Sequence, residues 1–178
     1  MEFRKSIHEV HTVYETGGSH PALVTCDDLE EWVCKYHHSK SILFNEFLSS
    51  CFLNCWKIPT PEICFLNLDQ KHIPEKYLNI LQPQFFKTPC FGSKLLPYAK
   101  EVDHFFRTLK YQKHVLNKIE KEDFLKIALF DLWIANDDRK FNNYNLLLNA
   151  DSPEKWRFYA IDHGAVFNTD CLNRGIEH

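Results

Sequence analysis

The 178-residue sequence has no run of 18 apolar residues, so no segment reads as a membrane-spanning helix. Its opening, MEFRKSIHEV, lacks the apolar stretch of a secretory leader. A cytoplasmic protein with no membrane partner is therefore expected. There is no block of lysine and arginine, and the formal net charge is -3. No nucleic-acid partner is expected, and any polyanion would have to bind at a local site. CxxC pairs are also missing. The seven cysteines (Cys26, Cys34, Cys51, Cys55, Cys64, Cys90 and Cys171) are odd in number and irregular in spacing. That pattern argues against a disulfide framework and for reduced, buried thiols. Cys51 and Cys55 lie four apart on a predicted helix face, but structural zinc needs four ligands and the sequence offers no others nearby.

What is present suits a globular protein: 44% hydrophobic and 25% charged residues, enough for one domain or two small lobes with a real core. Fifteen phenylalanines predict that this core is rich in rings. Along the chain, IHEVHTVYE alternates, TGGSHP is a turn, ALVTC follows, DDLE turns again, and EWVCKYH makes a third strand. These pieces predict a three-stranded antiparallel meander. SKSILFNEFLSSCFLNCW has helical spacing, and the prolines of KIPTPE stop it. EICFLNLD reads as a strand. Residues 70–100, punctuated by Pro74, Pro83, Pro89 and Pro97, read as a connector with short helical pieces. Residues 99–117 and 121–135 read as helices, the second with an apolar face of Phe124, Ile127, Ala128, Leu129 and Leu132. Last, NLLLN and WRFYAI flank the turn ADSPEK and predict a hairpin. The order describes a small α+β lobe followed by a helical one, without repeats.

The polar stretch NDDRKFNNYN enters that hairpin and DHG leaves it, which brings Asp138, Asn143 and Asp162 to one end. A carboxylate, an amide five residues later and a second carboxylate across a hairpin suit phosphoryl transfer. One Asp handles the attacking hydroxyl, while the Asn oxygen and the other Asp hold a hard cation. Asp, Asn and Gly are also the commonest turn residues, so these two features alone fit a solvated turn equally well. The first half of the chain tips the balance. TGGSHP lies between the first two strands, Lys35 on the third and Glu46 on the following helix, the order a nucleotide-binding lobe requires.

The segments GGSHPALV, VCKY, LFNEF, IPTPEI, CFGSKLLP, NDDRKFNNYNLLL and AIDHGAVF together resemble the HipA-like kinases, specifically the short bacterial members, over nearly the whole chain. The Asp-Arg-x-x-x-Asn form of the loop is also similar to phosphatidylinositol lipid kinases. The resemblance implies a single domain over residues 1–178 with a bilobal, protein-kinase-like α+β fold. It places an antiparallel-sheet N-lobe at about residues 1–69, a connector at about 70–98 and a mostly helical, partial C-lobe at about 99–178. It implies ATP and Mg2+ as cofactors, Asp138 as catalytic base, and Asn143 and Asp162 as magnesium ligands. Lys35 would contact the α- and β-phosphates with Glu46 as its ion-pair partner, and Gly17, Gly18 and Ser19 would form the phosphate loop. Asp137 and Asn142 share the same spacing and leave a second register open, although Arg139 directly after Asp138 favours the first. The sequence departs from these patterns in three places. Lys140 stands where lipid kinases carry His, the glycine loop is short, and the chain stops 16 residues past Asp162, where the family continues with several helices. The expected activity is transfer of a γ-phosphoryl group to a Ser/Thr-type hydroxyl on a protein acceptor. The alternative is a catalytically weak or inactive pseudokinase that binds nucleotide or a partner.

Overall fold

The computed structural model describes residues 2–16, 19–102, 117–140 and 143–167. The chain is α+β and divides into two compact units. Unit 1 comprises Met1–Phe47 with Glu62–Leu95, and unit 2 comprises Leu48–Pro61 with Leu96–His178.

Unit 1 is built on a six-stranded sheet. Its strands are β1 (Glu2–Lys5), β2 (Thr12–Val13), β3 (Ala22–Thr25), β4 (Glu31–Lys35), β5 (Ile63–Asn67) and β6 (Cys90–Lys94), in the order β1-β5-β6-β4-β3-β2. The β2-β3-β4 meander expected from the sequence is present. β1 was not anticipated; it pairs in parallel with β5, a contact between residues about 60 positions apart that no local pattern encodes. The proline-rich stretch expected to be a connector does contain 3-10 turns at Gln70–His72, Glu75–Tyr77 and Pro83–Phe86. It also supplies β6, which pairs with β4 on one side and β5 on the other. Strand β6 reads poorly because Gly92 interrupts its apolar pattern. The glycine is a packing requirement: a Cβ there would meet the Cys64 Sγ at 2.5 Å.

Alternation along β4 buries Trp32 and Cys34 on one face and turns Lys35 to the other. The first face carries the core of unit 1, including Ala22, Val24, Cys26, Cys64, Leu66 and Cys90. The six described cysteines are unpaired; Cys26, Cys34, Cys64 and Cys90 are buried. Burial pushes the Cys26 and Cys64 thiols up to about 12. The opposite face receives helix α1 (Lys40–Cys55), whose Phe47 packs on Phe65 and Phe91 at ring distances of 4.4 and 4.9 Å. The boundary between the units falls inside α1. The helix ends in a Schellman motif at Lys57, whose φ is 57°. Lys57 N–H donates to the Asn54 carbonyl and Ile58 N–H to the Leu53 carbonyl, before the prolines of KIPTPE are reached.

Unit 2 holds the three-stranded sheet β7 (Ala99–Glu101), β8 (Leu146–Asn149) and β9 (Arg157–Ala160), together with helix α2 (Lys121–Trp133). The expected β8–β9 hairpin is present. Residues 99–101, expected to begin a helix, instead form β7 against β8, and 103–116 lie outside the described residues. The core face of α2 agrees with the expected one only at Ile127. Asp123, Ile127 and Phe130 are buried, whereas Leu125, Leu129 and Leu132 are exposed, Leu132 at 81%. Buried Asp123 tips the choice, because its carboxylate accepts two hydrogen bonds from Arg157 of β9, at 2.9 and 2.8 Å. No described helix is long and apolar enough to cross a membrane.

Candidate functional site

In unit 1 the pleat of β4 aims Lys35 at helix α1, where its Nζ lies 2.6 Å from Glu46 Oε1. Both side chains are largely shielded, at 14% and 4% exposure. A carboxylate so buried is tolerated only when a cation or donors satisfy it, so the pair fixes where the lysine sits. In the β2–β3 turn, Tyr14 N–H donates to the Pro21 carbonyl at 2.9 Å, and the Thr16 hydroxyl donates to the Ser19 carbonyl. Ser19 is half-buried, and Gly17 and Gly18 lie outside the described residues.

In unit 2 the polar loop is an extension of the α2 C-terminus. Ala135, at φ 50°, ends the helix in a second Schellman motif, with Asn136 N–H donating to the Asp131 carbonyl at 2.9 Å. Asn136 then joins helix to loop: its Nδ2 donates to Asp131 Oδ1 at 2.8 Å, and its Oδ1 accepts from Asp138 N–H at 3.1 Å. Asp138 is half-buried, whereas Asp137 is exposed. A tight turn follows, closed by reciprocal backbone hydrogen bonds between Lys140 and Asn143. Asn143 Nδ2 donates to the Asp138 carbonyl at 3.1 Å. That bond occupies the nitrogen end of the amide and leaves its oxygen for another partner. Asn142 lies outside the described residues.

Two residues that the sequence pattern did not single out for this role hold the loop together. Arg139 donates to the Asp131 carboxylate, to the carbonyls of Tyr144 and Asn145, and to His163 Nε2 at 3.1 Å. A guanidinium only donates, so His163 Nε2 accepts and the ring proton sits on Nδ1. Asn145 takes a left-handed torsion, φ 47°, just before β8, and its Nδ2 donates to Asp138 Oδ2 at 2.9 Å. The signals were present as Asp131, eight residues before Arg139, and the Asn-Tyr-Asn triplet, but neither falls in a recognised spacing.

The hairpin brings the DHG segment to this same end. Ile161 N–H donates to the Asn145 carbonyl at 3.1 Å, and Asp162 follows at φ 61°. The left-handed torsion therefore falls on Asp162 itself, a residue type that tolerates it. His163 is 1% exposed and stacks edge-on to Phe130. The loop and the hairpin exit are thus linked through Arg139–His163 and Asn145–Ile161.

Among the described residues, no group of three His, Cys, Asp or Glu is arranged to hold a metal. The candidate ligands here, the Asn143 amide and the Asp162 carboxylate, are oxygen donors. That set fits a magnesium ion that takes its remaining ligands from phosphates and water, and it does not fit zinc.

A family model described as "HipA-like kinase" matches residues 7–177. No curated protein matches the sequence. Among solved structures, ten chains match in fold. One is the crystal structure of a Helicobacter pylori proinflammatory kinase, CtkA, at TM-score 0.58 and 10% identity, covering 93% of this chain and 60% of that one. This likeness shows a shared kinase-like fold, with the present chain spanning 60% of the other's length. Family match over almost the entire sequence and fold agree, and the chain belongs to the HipA-like kinase family.

Proposed function

We propose that the protein is an ATP- and magnesium-dependent kinase that phosphorylates a Ser/Thr-type hydroxyl on a protein acceptor in the cytoplasm. The observation that carries this reading is the junction of the Asp138 loop with the Asp162 segment at the β8–β9 end, held by Arg139 and Asn145. Bound ATP would supply the phosphoryl group, and Mg2+ would neutralise charge on the phosphates. The chain's residues supply the rest. Asp138 takes the proton of the acceptor hydroxyl as its oxygen bonds to phosphorus and the bond to the ADP oxygen breaks. Asn143 Oδ1 and the Asp162 carboxylate hold the cation, and Asp138–Asn143 is the register used. Lys35, steadied by Glu46 at 2.6 Å, contacts the α- and β-phosphates, and Gly17, Gly18 and Ser19 cover them. Unit 1, which contains most of the N-lobe expected at about residues 1–69, acts as the nucleotide lobe.

A second reading, a pseudokinase that engages a partner, is favoured by the exposed Leu125, Leu129 and Leu132 on α2. Incubation with labelled ATP and Mg2+ separates the two, beside Asp138→Ala and Asp162→Ala. The kinase reading expects label on the protein itself or on a lysate protein, lost in both variants, with Asp138→Ala still stabilised by MgATP. Wild-type protein that is stabilised by MgATP yet transfers no label moves the reading to the pseudokinase.

A further inference from the structure

We propose that Asn145 is a positioning residue for the reaction, acting through the Asp138 carboxylate; this rests on the kinase reading above. A carboxylate turns easily about its Cβ–Cγ bond, whose torsional preference is broad. A general base works only when one oxygen points at the proton it removes, within hydrogen-bond reach. Asn145 Nδ2 donates to Oδ2 of Asp138 at 2.9 Å. Among the described residues no other side chain is seen to donate to that carboxylate, so this bond sets its rotation and keeps Oδ2 engaged, with Oδ1 as the oxygen that takes the proton.

The amide can do this because its own backbone is held on two sides. The Asn145 carbonyl accepts from Arg139 Nη1 at 2.6 Å and from Ile161 N–H at 3.1 Å. The first bond ties it to the loop that carries Asp138. The second ties it to the residue preceding Asp162, so the orientation of the base and the placement of the second carboxylate share one anchor. The backbone at φ 47° narrows the choice of residue to glycine, asparagine or aspartate. Of these only asparagine adds a donor. Its job therefore differs from that of Asn143, whose Nδ2 reaches the Asp138 carbonyl and not its side chain.

Two substitutions separate the amide from the backbone. Asn145→Gly keeps the left-handed torsion and removes the donor. Asn145→Asp keeps the shape and sets an acceptor against Asp138 Oδ2. Both are expected to lower kcat roughly 10- to 100-fold, the cost of a misaligned catalytic group. The KM for ATP and the MgATP-induced rise in Tm should stay at the wild-type values. In the wild type, the Asn145 side-chain amide resonances should shift when Asp138 is changed to Ala, with the rest of the spectrum preserved. A wild-type kcat in Asn145→Gly, with Asp138→Ala inactive, would overturn this inference while sparing the kinase reading. Parallel loss of ATP binding and Tm would make Asn145 merely structural and also overturn it. A wild-type protein that transfers no phosphate removes the kinase reading and this role together.

Discussion

Replacing Arg139 with alanine tests whether the loop is built around a single guanidinium. Arg139 and Asp131 are 11% and 12% exposed at the side chain, so their pair is largely withdrawn from water. Removing one partner of a buried pair costs about 3–5 kcal/mol. The residual exposure places this site at the lower end, about 3 kcal/mol, since water can reach the stranded Asp131 carboxylate. The Tyr144 and Asn145 carbonyls also lose a donor, at about 1 kcal/mol each when nothing replaces it. The sum expected is about 5 kcal/mol, or a fall in Tm of roughly 10–20 °C for a chain of this size. Arg139→Lys should fall between, because one ammonium cannot reach a carboxylate, two carbonyls and an imidazole together. Urea denaturation of wild type, Arg139→Ala, Asp131→Ala and the double variant gives the coupling directly, expected at about 2 kcal/mol. A destabilisation below about 1 kcal/mol, or coupling indistinguishable from zero, would show that the loop holds its shape without this hub.

Lys35→Met should abolish the MgATP-induced rise in Tm, and Glu46→Gln should diminish it, because the buried carboxylate sets the lysine's position. A wild-type shift in Lys35→Met would remove Lys35 from the nucleotide site. The alkaline stability should follow the buried thiols. Burial pushes Cys26 and Cys64 from about 9 up to about 12, and Tyr36 from about 10 up to about 12. The native state then holds these protons through a range in which the unfolded chain has released them, and unfolding releases protons. This stability is complete below about pH 9 and declines as pH rises toward 12. Tm measured from pH 8 to 11 should fall, and less steeply in Cys26→Ala and Cys64→Ala. A flat profile contradicts the assignment.

Local chemistry alone determined a good part of this protein. Alternation and turn residues marked β3, β4, β5, β8 and β9, since each is specified by neighbours within a few positions. Helical spacing marked α1 and α2, and the order Lys35, Glu46, Asp138, Asn143, Asp162 was legible before any coordinates. Tertiary structure decided what depends on distant partners. Strand β1 exists only because β5 lies beside it, and β6 only because Gly92 lets the sheet close over Cys64. The buried face of α2 follows an Asp123–Arg157 pair 34 residues apart in sequence, and not the apolar count. The loop shows the same division. Spacing offered Asp138 with Asn143 and left Asp137 with Asn142 as a second register, whereas a left-handed backbone at Asn145 and a guanidinium shared among four groups tie neighbouring residues to the same loop. Such roles arise from where a side chain is held, which a linear pattern records only when the partners lie within a turn of each other.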